Sequence, residues 1–227
     1  MKLCVALDLP TKNENLQLAK ELRDFDIWLK VGFRSFIRDS KEFLKDLKEI
    51  NDNFKIFLDL KLYDIPNTMA DAAQEIAKLN IDMFNVHASA GKKAMQTVMA
   101  RLKEFTNRPL VLAVTALTSF DDESFKKIYG KSINEKAKEF AIEAYEAKLD
   151  GVVCSVHESK MIKKITNKDF LTLTPGIRPF GENSNDQKRV ADLNKAKESL
   201  VDFIVVGRPI YQAKNPKEVV EKILTNI

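Results

Sequence analysis

The sequence predicts an α/β fold of the (β/α)8 TIM barrel class. Eight short apolar runs recur at fairly even intervals through the 227 residues, and amphipathic stretches lie between them. No segment rich in proline, glycine or serine divides the chain, and apolar residues make up 44% of it. Residues 1–227 are therefore predicted to form a single domain, with a doubly wound open sheet as the lesser alternative.

The predicted strands are mostly continuous hydrophobic runs, such as Val152-Val153-Cys154. Such runs are typical of parallel strands that are buried on both faces. The eight strands are predicted at residues 3–8, 27–31, 55–61, 83–87, 110–117, 151–156, 171–175 and 203–207.

Helix-start signals occur in the segments between the strands. Thr11 and Glu14 have the spacing of a capping box, and Asn215-Pro216 supplies a cap followed by a first-turn proline. Asn67-Thr68 is predicted to cap a helix over residues 69–79. The other helices are predicted at about residues 34–50, 90–105, 133–148, 159–165 and 191–199.

Composition excludes several classes of protein. The 37 basic and 33 acidic residues leave a net charge of only +4, so nucleic acid is not an expected partner. No apolar run approaches the roughly 18 residues of a membrane span, and the first residues meet Asp8 too early for a signal peptide. Cys4 and Cys154 lie in apolar runs, which predicts buried free thiols and a cytoplasmic location.

Charged residues cluster where the predicted strands end. Asp59 and Lys61 are two residues apart, so in a regular strand they share one face, and Lys30 ends the adjacent strand within reach of Asp59. The carboxyl ends of barrel strands form the functional rim of this fold. Alternating charges can stay ionised there, which indicates a site that acts on an anion and supplies a proton.

Asp64 lies three residues after Lys61, which on an extended chain is too far for the two side chains to meet easily. Ile65-Pro66 disfavours an immediate helical turn back toward Lys61. Asp64 is therefore either a solvated loop residue or a residue that reaches a partner's site across a two-fold axis.

Two glycine–arginine sequences near the end of the chain predict a phosphate site. Gly176 and Arg178 follow the seventh strand, and Gly207-Arg208 follows the eighth. Loops after these two strands of a barrel frequently bind phosphate, and guanidinium groups suit a phosphate dianion. Residues 180–189 are either a plain surface loop or a lid in which Gln187 donates to ligand oxygens.

The two histidines, His87 and His157, both fall at predicted strand ends but lack the spaced partners of a metal site. No metal is therefore predicted, and His157 is expected to be non-catalytic. Motifs for nucleotide hydrolysis, dinucleotide binding and serine hydrolases do not occur.

Together these segments resemble the orotidine 5′-phosphate decarboxylase family. The resemblance runs in order along nearly the whole chain, and it is carried by Asp59-x-Lys61-x-x-Asp64-Ile65-Pro66-Asn67-Thr68, Leu29-Lys30-Val31-Gly32, Pro175-Gly176-Ile177-Arg178-Pro179 and Val206-Gly207-Arg208-Pro209-Ile210. It implies decarboxylation of orotidine 5′-phosphate to UMP in pyrimidine biosynthesis, without cofactor or metal. It also implies a homodimer with Asp64 and Thr68 entering the partner's site.

The resemblance further implies a role for each matching residue. Lys61 would protonate C6 of the pyrimidine, Asp59 would lie near the departing carboxylate, and Lys30 would hold Asp59 and the ribose. The remaining substrate-binding residues would be Asp8 on the ribose, Thr118 and Ser119 on the pyrimidine edge, and Gln187, Arg178, Gly207 and Arg208 on the phosphate.

Two alternatives stay open from the sequence. One is a metal-dependent sugar-phosphate decarboxylase or aldolase on the same barrel, although such relatives carry an acidic metal ligand where this chain has Lys30. The other is a non-catalytic nucleotide-binding barrel, which would have no need of the Lys61 ammonium between carboxylates.

Overall fold

Eight parallel strands close into a barrel in the order β1 to β8, with β1 paired to β8. The computed structural model describes residues 1–181 and 189–227. Its strands are β1 Lys2–Ala6, β2 Trp28–Gly32, β3 Lys55–Leu62, β4 Met83–His87, β5 Leu110–Val114, β6 Gly151–Val153, β7 Leu171–Thr174 and β8 Phe203–Val206. The predicted fold class is confirmed.

Helices follow the strands and surround the barrel. The α-helices of the described residues are α1 Lys12–Glu21, α2 Phe33–Ile50, α3 Pro66–Ala77, α4 Lys92–Leu102, α5 Asp122–Tyr129, α6 Ile133–Glu146, α7 Val156–Ile165, α8 Leu193–Glu198, α9 Arg208–Tyr211 and α10 Pro216–Thr225. Neither α5 nor α9 was predicted from the sequence, and both lie in segments that follow strands at the rim.

Two predicted helix starts are confirmed and one is wrong. Thr11 forms the capping box with Glu14, and Asn215 caps α10 with Pro216 in its first turn. Asn67-Thr68 does not cap α3, because the helix already begins at Pro66, with Ile65 as its N-cap. Proline has no N–H to lose and a backbone angle suited to the first helical position, which favours this earlier start.

Alternate residues of each strand divide the core into two layers. On β1, Cys4 and Ala6 pack with Trp28 and Phe57 inside the barrel, whereas Leu3 belongs to the layer between barrel and helices. Both faces of the strands are thus buried, as the continuous hydrophobic runs predicted. The cysteines of the chain, Cys4 and Cys154, are buried and free, as predicted.

A carboxylate precedes each of β4, β6 and β8 and ties it to the strand before it. Asp82, Asp150 and Asp202 each accept a backbone N–H from the preceding strand, at 2.8, 2.8 and 2.7 Å. Each carboxylate also pairs with a basic side chain, Lys55, Arg108 or Lys163, at 2.9, 2.6 and 2.7 Å. These three aspartate clamps lie at the amino ends of the strands, opposite the rim that carries the candidate site.

No helix in residues 1–181 or 189–227 is long and apolar enough to cross a membrane.

Candidate active site

A cavity of about 320 Å³ opens at the carboxyl ends of the strands. It is lined by predicted residues from all along the chain: Asp8, Lys30, Asp59, Lys61, Thr118, Ser119, Arg178, Gly207 and Arg208. The structure therefore brings together residues that lie far apart in the sequence, since parallel barrel strands end at one rim. Gln187 lies outside the described residues.

Four of these side chains form a row of alternating charge. The Lys30 ammonium lies 3.2 Å from Asp8 Oδ1 and 3.6 Å from Asp59 Oδ2, and Lys61 Nζ lies 2.6 Å from Asp59 Oδ1. The Asp59 and Lys30 side chains are only 13% and 11% exposed. Each cation in this row has an anionic neighbour, which compensates the loss of hydration.

The ionisation of the row follows from its geometry. Burial by itself raises the pKa of Asp59, but the charges of Lys30 and Lys61, with hydrogen bonds from Lys61 and Asn85, bring its pKa below the usual value. Burial lowers the pKa of Lys30, and Asp59 and Asp8 outweigh that effect and raise it. Asp59 and Lys30 are therefore both charged near neutral pH.

Gly32 makes room for this row. A Cβ at this position would lie 3.1 Å from Lys30 Nζ and 3.4 Å from Asp8 Oδ1. A larger residue at this position would therefore displace the Lys30 ammonium from the Asp8 carboxylate.

Asn85, which the sequence analysis missed, holds Asp59 and Lys61 from the adjacent strand. Its Nδ2 donates to Asp59 Oδ1 at 2.7 Å, and its Oδ1 accepts the backbone N–H of Lys61 at 2.7 Å. The side chain is completely buried. An amide in the middle of the apolar run Met83-Phe84-Asn85-Val86 was the available signal.

The backbone of β3 is irregular where it carries Lys61. The pairing of β3 with β4 shifts between Leu58 and Leu62, and Lys61 has a φ of +46°. Asp59 and Lys61 thus meet as predicted, but they do so across a bulge rather than by regular alternation along a strand. The Lys61 ammonium also lies 5.5 Å from the centre of the Phe33 ring, at the start of α2.

The two glycines and two arginines of the predicted phosphate site line the same cavity. Gly176 and Arg178 follow β7, and Gly207 and Arg208 follow β8. Gly176 has a φ of +82°, a conformation that favours glycine. Tyr211 of α9, which the sequence analysis did not single out, also lines the cavity.

Asp64 and Thr68 are exposed and lie outside this cavity. Asp64 Oδ1 accepts the backbone N–H of Ile65 at 2.7 Å. Within the described chain, therefore, neither residue joins the charged row of its own barrel.

The histidines lie outside the cavity. His87 ends β4 and its Nδ1 contacts the Ser89 hydroxyl at 2.6 Å. Burial, and secondarily the charge of Lys61, lower the pKa of His87, so it is neutral at pH 7. The prediction that His157 ends a strand is wrong: it lies exposed in the first turn of α7, because Ser155 is the N-cap of that helix and donates its backbone N–H to Glu158.

Comparison with known proteins identifies the family. The model of the "Orotidine 5'-phosphate decarboxylase / HUMPS family" matches residues 1–223. The chain belongs to this family. The resemblance inferred from the motifs is thereby confirmed.

Named relatives within the decarboxylase family match over the full chain. The orotidine 5′-phosphate decarboxylase of a Nitratiruptor species is 73% identical over 227 residues and that of Sulfurimonas denitrificans is 68% identical, each covering 100% of both chains. A solved structure of orotidine 5′-phosphate decarboxylase from Lactobacillus acidophilus superposes with a TM-score of 0.85 at 35% identity, over 99% of this chain and 98% of that one.

Proposed function

We propose that this protein catalyses the cofactor-free decarboxylation of orotidine 5′-phosphate to UMP in pyrimidine biosynthesis. The observation that carries the proposal is the row Asp8–Lys30–Asp59–Lys61 in a cavity that Arg178 and Arg208 also line. Family membership and named full-length relatives support the same reaction.

The reaction breaks the bond between C6 of the pyrimidine and its carboxylate. Carbon dioxide leaves, the bonding electron pair stays on C6, and Lys61 delivers a proton to that carbon. A fixed ammonium stabilises the developing carbanion more than it stabilises the substrate, so it lowers the barrier. Lys61 suits this role because Asp59 and the Asn85 contact to its backbone hold it in place.

Asp59 is proposed to lie near the substrate carboxylate. Because its pKa is lowered, it is ionised when the substrate binds, and the departure of neutral carbon dioxide relieves the repulsion between the two anions. Lys30 keeps Asp59 charged and, with Asp8, binds the ribose hydroxyls.

The distal groups bind the ends of the substrate. Thr118 and Ser119 contact the pyrimidine edge, and Arg178, Gly207 and Arg208 bind the phosphate dianion, with Gln187 as a further proposed donor. Binding energy from the phosphate helps to hold the pyrimidine against Lys61.

We also propose a homodimer in which Asp64 and Thr68 complete the partner's site. Large apolar side chains are exposed beside Asp64: Tyr63 is 64% exposed and Ile65 67%. Phe33 and Ile37 at the start of α2 are 50% and 76% exposed. Burial of such a patch against a second copy would be favourable.

The proposed location is the cytoplasm.

The central test follows the loss of orotidine 5′-phosphate absorbance in buffer with EDTA. The wild-type protein should turn over, and Lys61→Ala should lose turnover while it keeps its fold. Lys127→Ala is the matched control, since that lysine is 72% exposed on α5. Turnover that requires an added divalent metal would point instead to the sugar-phosphate enzymes, and unchanged turnover of Lys61→Ala would reject the proton donor.

A mixing experiment tests the shared site. Lys61→Ala and Asp64→Ala proteins should each be inactive, and mixtures should regain up to about a quarter of wild-type activity, because half the dimers are hybrids with one intact site. No recovery, although subunit exchange is demonstrated by mass, would rule out a contribution from the partner.

A further inference from the structure

We propose that the buried ion pair between Glu158 and Arg189 is a positioning element for the phosphate-binding segment 176–178. The inference rests on the proposed function and assigns a role to two residues outside the cavity. The pair lies at the rim, because Glu158 is in the first turn of α7, directly after the carboxyl end of β6.

The pair is bidentate and almost completely shielded from water. Arg189 Nη1 lies 2.9 Å from Glu158 Oε1, and Nη2 lies 3.1 Å from Oε2. The Arg189 and Glu158 side chains are 13% and 6% exposed. The backbone N–H of Ser155 also donates to Glu158 Oε2 at 2.8 Å. Two parallel hydrogen bonds fix the direction of the guanidinium as well as its distance.

Arg189 is two residues before Ala191, which is the backbone partner of segment 176–178. Ala191 N–H donates to the Gly176 carbonyl at 3.2 Å, and Arg178 N–H donates to the Ala191 carbonyl at 2.9 Å. Ile177 and Ala191 form a parallel bridge. Glu158 on α7 therefore anchors the short extension that orients Gly176 and Arg178, and both of these line the cavity.

The position of the pair favours an effect on ligand binding rather than on the chemical step. Neither Glu158 nor Arg189 lines the cavity, and no hydrogen bond or ion pair in the described residues links them to the Lys30–Asp59–Lys61 row. A displacement of segment 176–178 would weaken phosphate binding while leaving the ammonium of Lys61 in place.

The test compares Glu158→Gln and Arg189→Lys with the wild type. Lysine keeps the charge but cannot reproduce two parallel hydrogen bonds, so Arg189→Lys loses the geometry with the least risk to folding. Turnover of orotidine 5′-phosphate gives kcat and KM, and titration calorimetry gives the affinities for UMP and for uridine, which lacks the phosphate. We expect KM and the UMP dissociation constant to rise about tenfold, with kcat and uridine affinity near their wild-type values.

Lys163→Met is the matched control. Lys163 lies on the same helix, its side chain is 8% exposed, and it forms an ion pair with Asp202 at the amino ends of the strands. Its loss should lower the melting temperature without changing KM. The double variant Glu158→Gln/Arg189→Lys should weaken UMP binding no more than the weaker-binding single variant, because the residues act as one unit.

Three results would overturn the proposal: unchanged UMP affinity in both single variants, an equal loss of uridine affinity, or a raised KM in Lys163→Met as well. Absence of wild-type turnover would be a failure of the proposed function alone. The comparison of UMP with uridine needs no turnover and would still decide whether the pair positions the phosphate site.

Discussion

Asn85→Ala removes the amide that joins β4 to the two residues at the centre of the site. In the wild type this side chain donates to Asp59 Oδ1 and accepts from Lys61 N–H, both at 2.7 Å, in a fully buried position. Alanine leaves the Asp59 carboxylate with one donor fewer and the Lys61 N–H without its partner.

The magnitude follows from the two lost bonds. A hydrogen bond to a charged group contributes about 1.5–3 kcal/mol, and an orphaned buried N–H costs about 1–3 kcal/mol, so we expect the free energy of unfolding to fall by about 3–5 kcal/mol. For a chain of this size that corresponds to a drop in melting temperature of roughly 6–20 °C. Lys61 sits at a positive φ on a bulge, so a loosened backbone should also displace its ammonium and lower kcat about 100-fold.

Thermal unfolding and steady-state turnover of orotidine 5′-phosphate measure both effects. Asp150→Asn is the control, since it weakens an aspartate clamp with Arg108 away from the cavity and should lower stability while kcat is kept. An Asn85→Ala protein with wild-type kcat would refute the view that this amide positions Lys61.

Two further predictions concern charge and packing. Because the pKa of Asp59 is lowered, ionised Asp59 stabilises the fold above the usual carboxyl pKa, and this stabilisation is lost as pH falls below about 4. Because the pKa of Lys30 is raised, the stabilisation from its ammonium is lost only above about pH 10. Of the two cations that lower the Asp59 pKa, Lys30 has the larger effect, so the stability lost in Lys30→Met, measured by urea unfolding against the wild type, should be greater at pH 7 than at pH 3; an equal loss at both pH values would contradict this coupling. Gly151→Ala should fail to yield a folded barrel, because its Cβ would lie 2.2 Å from the Leu171 carbonyl oxygen, and a normal circular dichroism melt would show that β6 and β7 can separate.

Much of the site was predictable because one topological rule places it. Once the apolar runs predict parallel strands, Lys30, Asp59 and Lys61 must meet at a common rim, and the structure places neighbours along the row within 3.6 Å of one another. The two glycine–arginine sequences follow the same rule on β7 and β8.

The other features of the site depend on contacts between strands, which no local sequence pattern specifies. The bulge at Lys61 is defined by the register of β3 against β4, and the partner of Asn85 is defined by that same register. The early start of α7 was missed because Val156 follows the apolar run Val152-Val153-Cys154 after a single serine, which favoured a longer strand over a helix start with Ser155 as N-cap. Similarly, α3 begins at Pro66, one residue before the predicted cap Asn67.

The aspartate clamps of Asp82, Asp150 and Asp202 have a consequence for how this barrel can evolve. Each sets the alignment of two neighbouring strands at the end away from the cavity. Substitutions at the rim can then change the substrate that is bound without shifting the register between neighbouring strands. Directed evolution of this scaffold should therefore tolerate broad diversity at the rim as long as the three carboxylates beneath it are left intact.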